Sequence, residues 1–267
     1  MKVGIIGYGS MGKMLLEKFA GKIGAENMLV ANRTQEKIAA LSDRFGVCSD
    51  NAELAAQADM IFVCVRPADI KTVLEEIAPV VKENALLVSL NGNLSFDTLG
   101  KILRHKTAKV IPSVTAEIDR SQTLVCYNDV VGEKDKLALK ELLGCMGSVI
   151  ELPEKELGMG SELVSCMPGF IASIFDVICR AAGEHTSIGE EQIVEMVLNT
   201  LTATGELMLR KGMSFSDVVE RVATKGGITE EGTDVVYDMF PPAAEKLFEK
   251  TLEKRRQVAE KAEQSVK

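Results

Sequence analysis

Apolar positions in the first 150 residues fall into short continuous runs separated by stretches with a three-to-four-residue apolar period. The runs Lys2–Ile6, Met28–Ala31, Met60–Val65, Ala85–Leu90, Lys109–Ile111, Gln122–Tyr127 and Val149–Leu152 predict strands, with a further short one at Gly46–Cys48. A run that is apolar throughout, such as Met60–Val65, suits a strand buried on both faces of a parallel sheet. The periodic stretches from Met11 to about Ala20, Thr34 to about Phe45, Leu54 to Ala58, Ile70 to Val81, Phe96 to Leu103 and Lys134 to Leu143 predict helices. Alternation of this kind is the pattern of an α/β, Rossmann-type doubly wound sheet.

From Pro153 the period becomes helical throughout, over Leu157–Ala182, Gly189–Lys211, Ser214–Arg221 and Asp234 to about Lys261, the last interrupted by Pro241-Pro242. Two domains are therefore expected, 1–152 for the sheet and 153–267 all helical. Ile171, Ile174, Phe175 and Ile178 cover most of one helix, and Val194, Val197, Leu198 and Leu201 most of the next. Helices that apolar need cover on more than one side, so a homodimer built through them is expected, with a dimer-based oligomer as an extension. The stretch Glu245–Lys267, with acids and bases mixed at helical spacing, reads as a solvated face with a frayed end.

The first strand runs into Gly7-Tyr8-Gly9-Ser10-Met11-Gly12, glycines at G-x-G-x-x-G spacing between a buried strand and an amphipathic helix. There Gly7 supplies the turn, Gly9 lets a pyrophosphate approach the main chain, and Gly12 lets helix and strand pack closely. Free N–H groups and the positive dipole end at the helix start favour phosphate. The second strand ends at Asn32-Arg33-Thr34, where an NAD enzyme places Asp or Glu on the ribose. With no carboxylate there, Arg33 can clamp a 2'-phosphate and Asn32 and Thr34 can hydrogen-bond it, so NADP(H) is preferred over NAD(H). Val65, Arg66 and Pro67, and Asn91 at the end of the run Ala85–Leu90, should border the cofactor because ligands bind beyond carboxyl ends of strands.

Charge and composition narrow the partners. A net charge of -8 argues against nucleic acid, and 46% hydrophobic with 26% charged residues is a globular balance. Six cysteines without a C-x-x-C pair or a nearby histidine read as buried thiols in a cytoplasmic protein with no metal site. His105 and His185 are expected at the surface. Neither a signal peptide nor an apolar run long enough for a membrane is expected.

A second glycine site, Thr224-Lys225-Gly226-Gly227-Ile228-Thr229, lies between helical segments. Its amides could face an anion with Thr229 as helix N-cap, or the segment could be a plain helix–helix turn; the residues alone favour neither.

Taken together, the chain resembles the pyrroline-5-carboxylate reductase family over nearly all of its length. The likeness rests on Gly7–Gly12, Asn32-Arg33-Thr34, Val65-Arg66-Pro67, Ile111-Pro112-Ser113, Pro168, Thr202-Ala203-Thr204-Gly205 and Gly226-Gly227-Ile228-Thr229. The resemblance implies an NAD(P)H-dependent imine reductase with a Rossmann domain and an interlocking helical dimerisation domain. It implies a small imino-acid substrate, most directly 1-pyrroline-5-carboxylate giving L-proline. It further implies a carboxylate held by Thr224, Gly226 and Gly227, a ring nitrogen oriented by Thr229, and a pocket beside Met167 and Pro168.

Departures are specific. The family usually has Lys at Arg66, Met-Pro-Asn at Ile111-Pro112-Ser113, Ser-Pro-Gly-Gly at Thr224–Gly227, and Gly-Ser-Gly-Pro-Ala-Tyr at Ser165–Phe170. Met167 thus adds a long side chain where the family keeps room. The alternatives are a reductase of another imino or keto acid, or a catalytically inactive dinucleotide-binding relative of the competence-associated type. The hydroxyacid dehydrogenases are disfavoured, since Leu157–Ala182 holds no lysine for their chemistry.

Overall fold

The computed structural model describes residues 1–265. Eight strands form one sheet among the described residues: β1 Val3–Ile6, β2 Met28–Ala31, β3 Gly46–Val47, β4 Met60–Val63, β5 Leu86–Ser89, β6 Thr107–Ile111, β7 Ser121–Tyr127 and β8 Gly147–Glu151. Their order is β3-β2-β1-β4-β5-β6-β7-β8. All neighbours are parallel except β6 and β7. The segment 112–120 is too short for a crossover helix, so the chain reverses there.

Helices α1 Ser10–Ile23, α2 Asn51–Gln57, α3 Ile70–Ile77, α4 Phe96–Ile102 and α5 Glu133–Leu143 connect the strands. They cover two separate cores. One joins Leu15, Leu16 and Phe19 of α1 to Val3, Ile5 and Phe62, and the other joins Ile6, Ile61 and Val63 to Leu54, Val73 and Leu74. Strands apolar at every position are what two covered faces require. Thr34–Phe45, expected as a helix, is instead two 3-10 turns, Gln35–Lys37 and Ala39–Leu41. The Gln35 amide donates to Asn32 O and Ser49 O, which ties the segment across the sheet edge instead of letting it wind.

The helical part comprises α6 Leu157–Ser161, α7 Met167–Gly183, α8 Glu190–Lys211, α9 Phe215–Val222, α10 Ile228–Met239 and α11 Pro241–Ser265. A π-helical turn, Glu162–Cys166, separates α6 from α7. Pro168 explains it: proline offers no N–H, and its ring crowds the carbonyl four residues back, so the preceding turn widens. The last expected helix divides into α10, which starts at Ile228 ahead of the expected Asp234, and α11. Pro241 and Pro242 open α11 where a missing N–H costs nothing.

The chain divides into two compact units, Met1–Cys166 together with Leu252 onward, and Met167–Thr251. The division falls after the expected Leu152–Pro153 boundary because Leu157, Ser161 and Glu162 are buried within the sheet unit. The end of α11 is not merely a solvated face: Ala262 is buried in a sheet core, and Glu263 accepts from Ser95 N at 3.2 Å, Ser95 Oγ at 3.1 Å and the Thr98 hydroxyl. The frayed end expected there lies outside the described residues.

Two further expectations are corrected. Within the helical run Glu154–Gly183, an 18-residue window has the length and mean hydropathy, 1.6, of a membrane span. His105 is half-buried, with Nε2 2.8 Å from Ala85 O, and burial holds its pKa below the usual value.

Candidate functional site

The glycine motif forms the turn between β1 and α1. Gly7 takes φ +99°, and a Cβ there would lie 2.7 Å from Cys64 O. Its N–H donates to Ala31 O at 2.9 Å, which fastens the turn to β2. A Cβ on Gly12 would sit 2.0 Å from Gly7 O, so only glycine lets α1 approach this closely. Around Gly9, in contrast, an added Cβ meets nothing within 4 Å. Gly9 is the N-cap of α1 and makes no side-chain cap bond, which leaves the first-turn amides for solvent or an anion.

Beyond the carboxyl ends of β1, β2 and β4 lies a cleft of about 570 Å³. Gly7, Tyr8, Gly9, Asn32, Arg33, Thr34, Val65 and Arg66 line it, bringing together most of the predicted cofactor residues. Asn32 acts inside the protein: its Oδ1 accepts from Tyr8 N at 2.9 Å and its Nδ2 donates to Thr34 O at 2.8 Å. Both polar ends therefore brace the two loops, where a phosphate contact was expected. The Arg33 side chain is 88% exposed at the rim, 3.5 Å from Asp69. Cys64 closes the floor, and burial pushes its thiol up to about 12, so it is no thiolate nucleophile.

Ser10, Met11, Gly12, Pro67 and Asn91 are not among the lining residues. Ser10 opens α1, Met11 packs on the core, and Pro67 starts a 3-10 turn after Arg66. Asn91, just beyond β5, is 7% exposed; its Oδ1 accepts from Asn93 N, while its Nδ2 is buried with no partner. Sequence reasoning missed Gln35, Lys37, Ser49, Asp50, Asn51, Thr72 and Glu76, all of which line the cleft. Thr72 and Glu76 are exposed positions of α3 and the rest sit on turns or at the start of α2, so no hydrophobic period marks them; strand-end position was the available signal.

The residues expected on the substrate side belong to the second unit and are described within it. Met167 and Pro168 open α7, both partly buried. Gly226 takes φ +72°, and Gly227 N donates to Thr224 O at 2.8 Å. Gly227, not Thr229, is the N-cap of α10, because Thr229 already has helical geometry as the second residue of that helix. Thr224 and Thr229 are exposed. No group of three or more His, Cys, Asp or Glu able to hold a metal occurs among the described residues, and all six cysteines are free.

A family model described as NADP oxidoreductase coenzyme F420-dependent matches residues 2–92, and one described as pyrroline-5-carboxylate reductase dimerisation matches 154–258. Among curated proteins, pyrroline-5-carboxylate reductase 3 of Bacillus subtilis is 33% identical over 95% of each chain. ComE operon protein 4 of the same organism is 30% identical, over 90% of this chain and 91% of that one. The NADP-bound pyrroline carboxylate reductase of Plasmodium falciparum superimposes with a TM-score of 0.83 at 22% identity, covering 97% of this chain and 98% of that one. The Coxiella burnetii pyrroline-5-carboxylate reductase gives 0.85 at 21%, covering 98% of each.

Proposed function

The chain belongs to the pyrroline-5-carboxylate reductase family, and from that premise we propose that it is an NADPH-dependent reductase of a cyclic imine carboxylate, 1-pyrroline-5-carboxylate to L-proline. The family supports an NAD(P)-dependent oxidoreductase. The observation that carries the reading is the glycine turn at the mouth of the β1/β4 cleft: a left-handed Gly7, an open Gly9 and uncapped α1 amides suit a pyrophosphate. Arg33 at the rim, its side chain 88% exposed and paired only at 3.5 Å with the exposed Asp69, suits a 2'-phosphate. Asn32 serves this site by holding the Gly7–Gly9 loop against Thr34.

A bound nicotinamide supplies the hydride for the imine carbon. In this reading the chain's own residues position and shield the substrate. The loop 224–227 and the start of α10 receive the carboxylate, the Thr229 hydroxyl orients the ring nitrogen, and Met167 and Pro168 border the pocket. The protonated imine is already electrophilic, so the reading asks for no strong base. The apolar helices of the second unit assemble with those of a second copy as a homodimer. The dimerisation-domain match over 154–258 supports this. We place the protein in the cytoplasm.

The 30% likeness to ComE operon protein 4 favours a second reading, a dinucleotide-binding relative without this catalysis. One assay separates them: NADPH oxidation with 1-pyrroline-5-carboxylate and a panel of other imines and keto acids. Turnover is expected with the pyrroline substrate. Thr229→Ala should lower kcat at least about tenfold, and Arg33→Ala should raise the KM for NADPH about tenfold with NADH unaffected. NADPH binding without turnover of any compound would install the second reading.

A further inference from the structure

Both glycine amides of the loop 224–227 are already engaged. Gly227 N donates to Thr224 O at 2.8 Å, closing a turn around the left-handed Gly226. Gly226 N donates to Glu230 Oε2 at 2.6 Å. Glu230 is the third residue of α10, the position from which a capping-box glutamate reaches the N-cap amide. Here it reaches one residue further, past Gly227 to Gly226. A carboxylate of the chain itself thus rests on an amide that the proposed function offers to the substrate's carboxylate.

We propose that Glu230 is a specificity-determining residue: its carboxylate competes with that of the substrate for the 224–227 loop, and so weakens discrimination between a cyclic imine with a carboxylate and one without. The inference rests on the proposed role of this loop. An incoming carboxylate must either displace Glu230 from Gly226 or settle beside it on the first-turn amides of α10, where like charges repel. Glutamine in its place keeps an acceptor for Gly226 N–H and removes the charge, whereas alanine removes both.

The test compares Glu230→Gln and Glu230→Ala with the wild type. Kinetics use NADPH with 1-pyrroline-5-carboxylate and with 1-pyrroline. Calorimetry with L-proline and pyrrolidine, in the presence of NADP, needs no turnover. Glu230→Gln is expected to lower KM for the carboxylate substrate and Kd for proline about fivefold, the equivalent of about 1 kcal/mol, without tightening pyrrolidine or 1-pyrroline. Unchanged proline affinity in Glu230→Gln, with Glu230→Ala weakening both ligands, makes Glu230 a helix cap only and overturns the inference. If no variant turns over the pyrroline substrate yet Glu230→Gln binds proline more tightly, the inference stands and the reductase reading falls. Robust wild-type turnover with the same proline affinity in Glu230→Gln has the opposite meaning.

Discussion

The two units of this chain solve the burial problem differently. The sheet unit buries apolar side chains on both faces of its strands, with Phe19 and Phe62 ring centroids 4.9 Å apart in one core. In the unit Met167–Thr251, Ile193 is the one buried apolar side chain among the described residues. Val177, Leu198, Leu209, Val236 and Tyr237 are all more than half exposed there. A sheet covered on both faces closes its own core, whereas a few long apolar helices leave sides that only another surface can cover. One unit closes its own core, and the other leaves apolar faces uncovered in the single chain.

The largest expected effect lies in the sheet unit. Arg255 holds Glu162 Oε1 through Nε at 3.0 Å and one terminal nitrogen at 2.7 Å, and Glu162 Oε2 is buried with no partner. Arg255→Met should destabilise that unit by about 3–5 kcal/mol in denaturant unfolding, because it leaves a buried carboxylate unpaired. Adding Glu162→Leu should restore most of the loss; a double variant as weak as the single one would show that the pair acts through something other than charge.

Next in size is a paired substitution across the two units. Leu137 on α5 and Leu198 on α8 are exposed to 66% and 53%. Leu137→Asp should change stability by less than about 0.5 kcal/mol, as exposed substitutions usually do. Leu198→Asp should shift the sedimenting species from dimer to monomer. Equal behaviour of the two would erase the contrast between the units.

The smallest effect is a pH dependence where α11 meets the sheet unit. The hydroxyl of Thr98, with the Ser95 amide and hydroxyl, holds the Glu263 carboxyl below the usual carboxylate range against an opposing effect of burial. A depressed folded pKa gives stability that is present above the unfolded value, about 4.3, and is lost as pH falls through the folded one. The unfolding midpoint of wild type should therefore exceed that of Glu263→Gln at pH 7, and the gap should shrink as pH falls below the unfolded value and through the folded one. A gap that persists into acid would assign the difference to packing.

Much of the cofactor region was legible because local rules act over a few residues. Gly7 and Gly12 are fixed by a turn and a close approach that only glycine satisfies, and the spacing announces both. The amide of Asn32 completes the Tyr8 loop, a bond between residues 24 apart in sequence that no local pattern encodes. Thr229 lost its capping role to Gly227 because helix registry, not residue preference, decides which position is the N-cap.

By itself, the sequence determined the alternation of strands and helices, the glycine turn and the change to helices beyond Pro153, since periodicity and glycine stereochemistry are local. Only the tertiary structure decided that the end of α11 returns to the sheet unit, that Arg255 meets Glu162 and that Glu230 takes the amide of Gly226. Each of these is a pairing of polar groups fixed by where packing delivers them, and a hydrophobic pattern carries no record of which charges will meet.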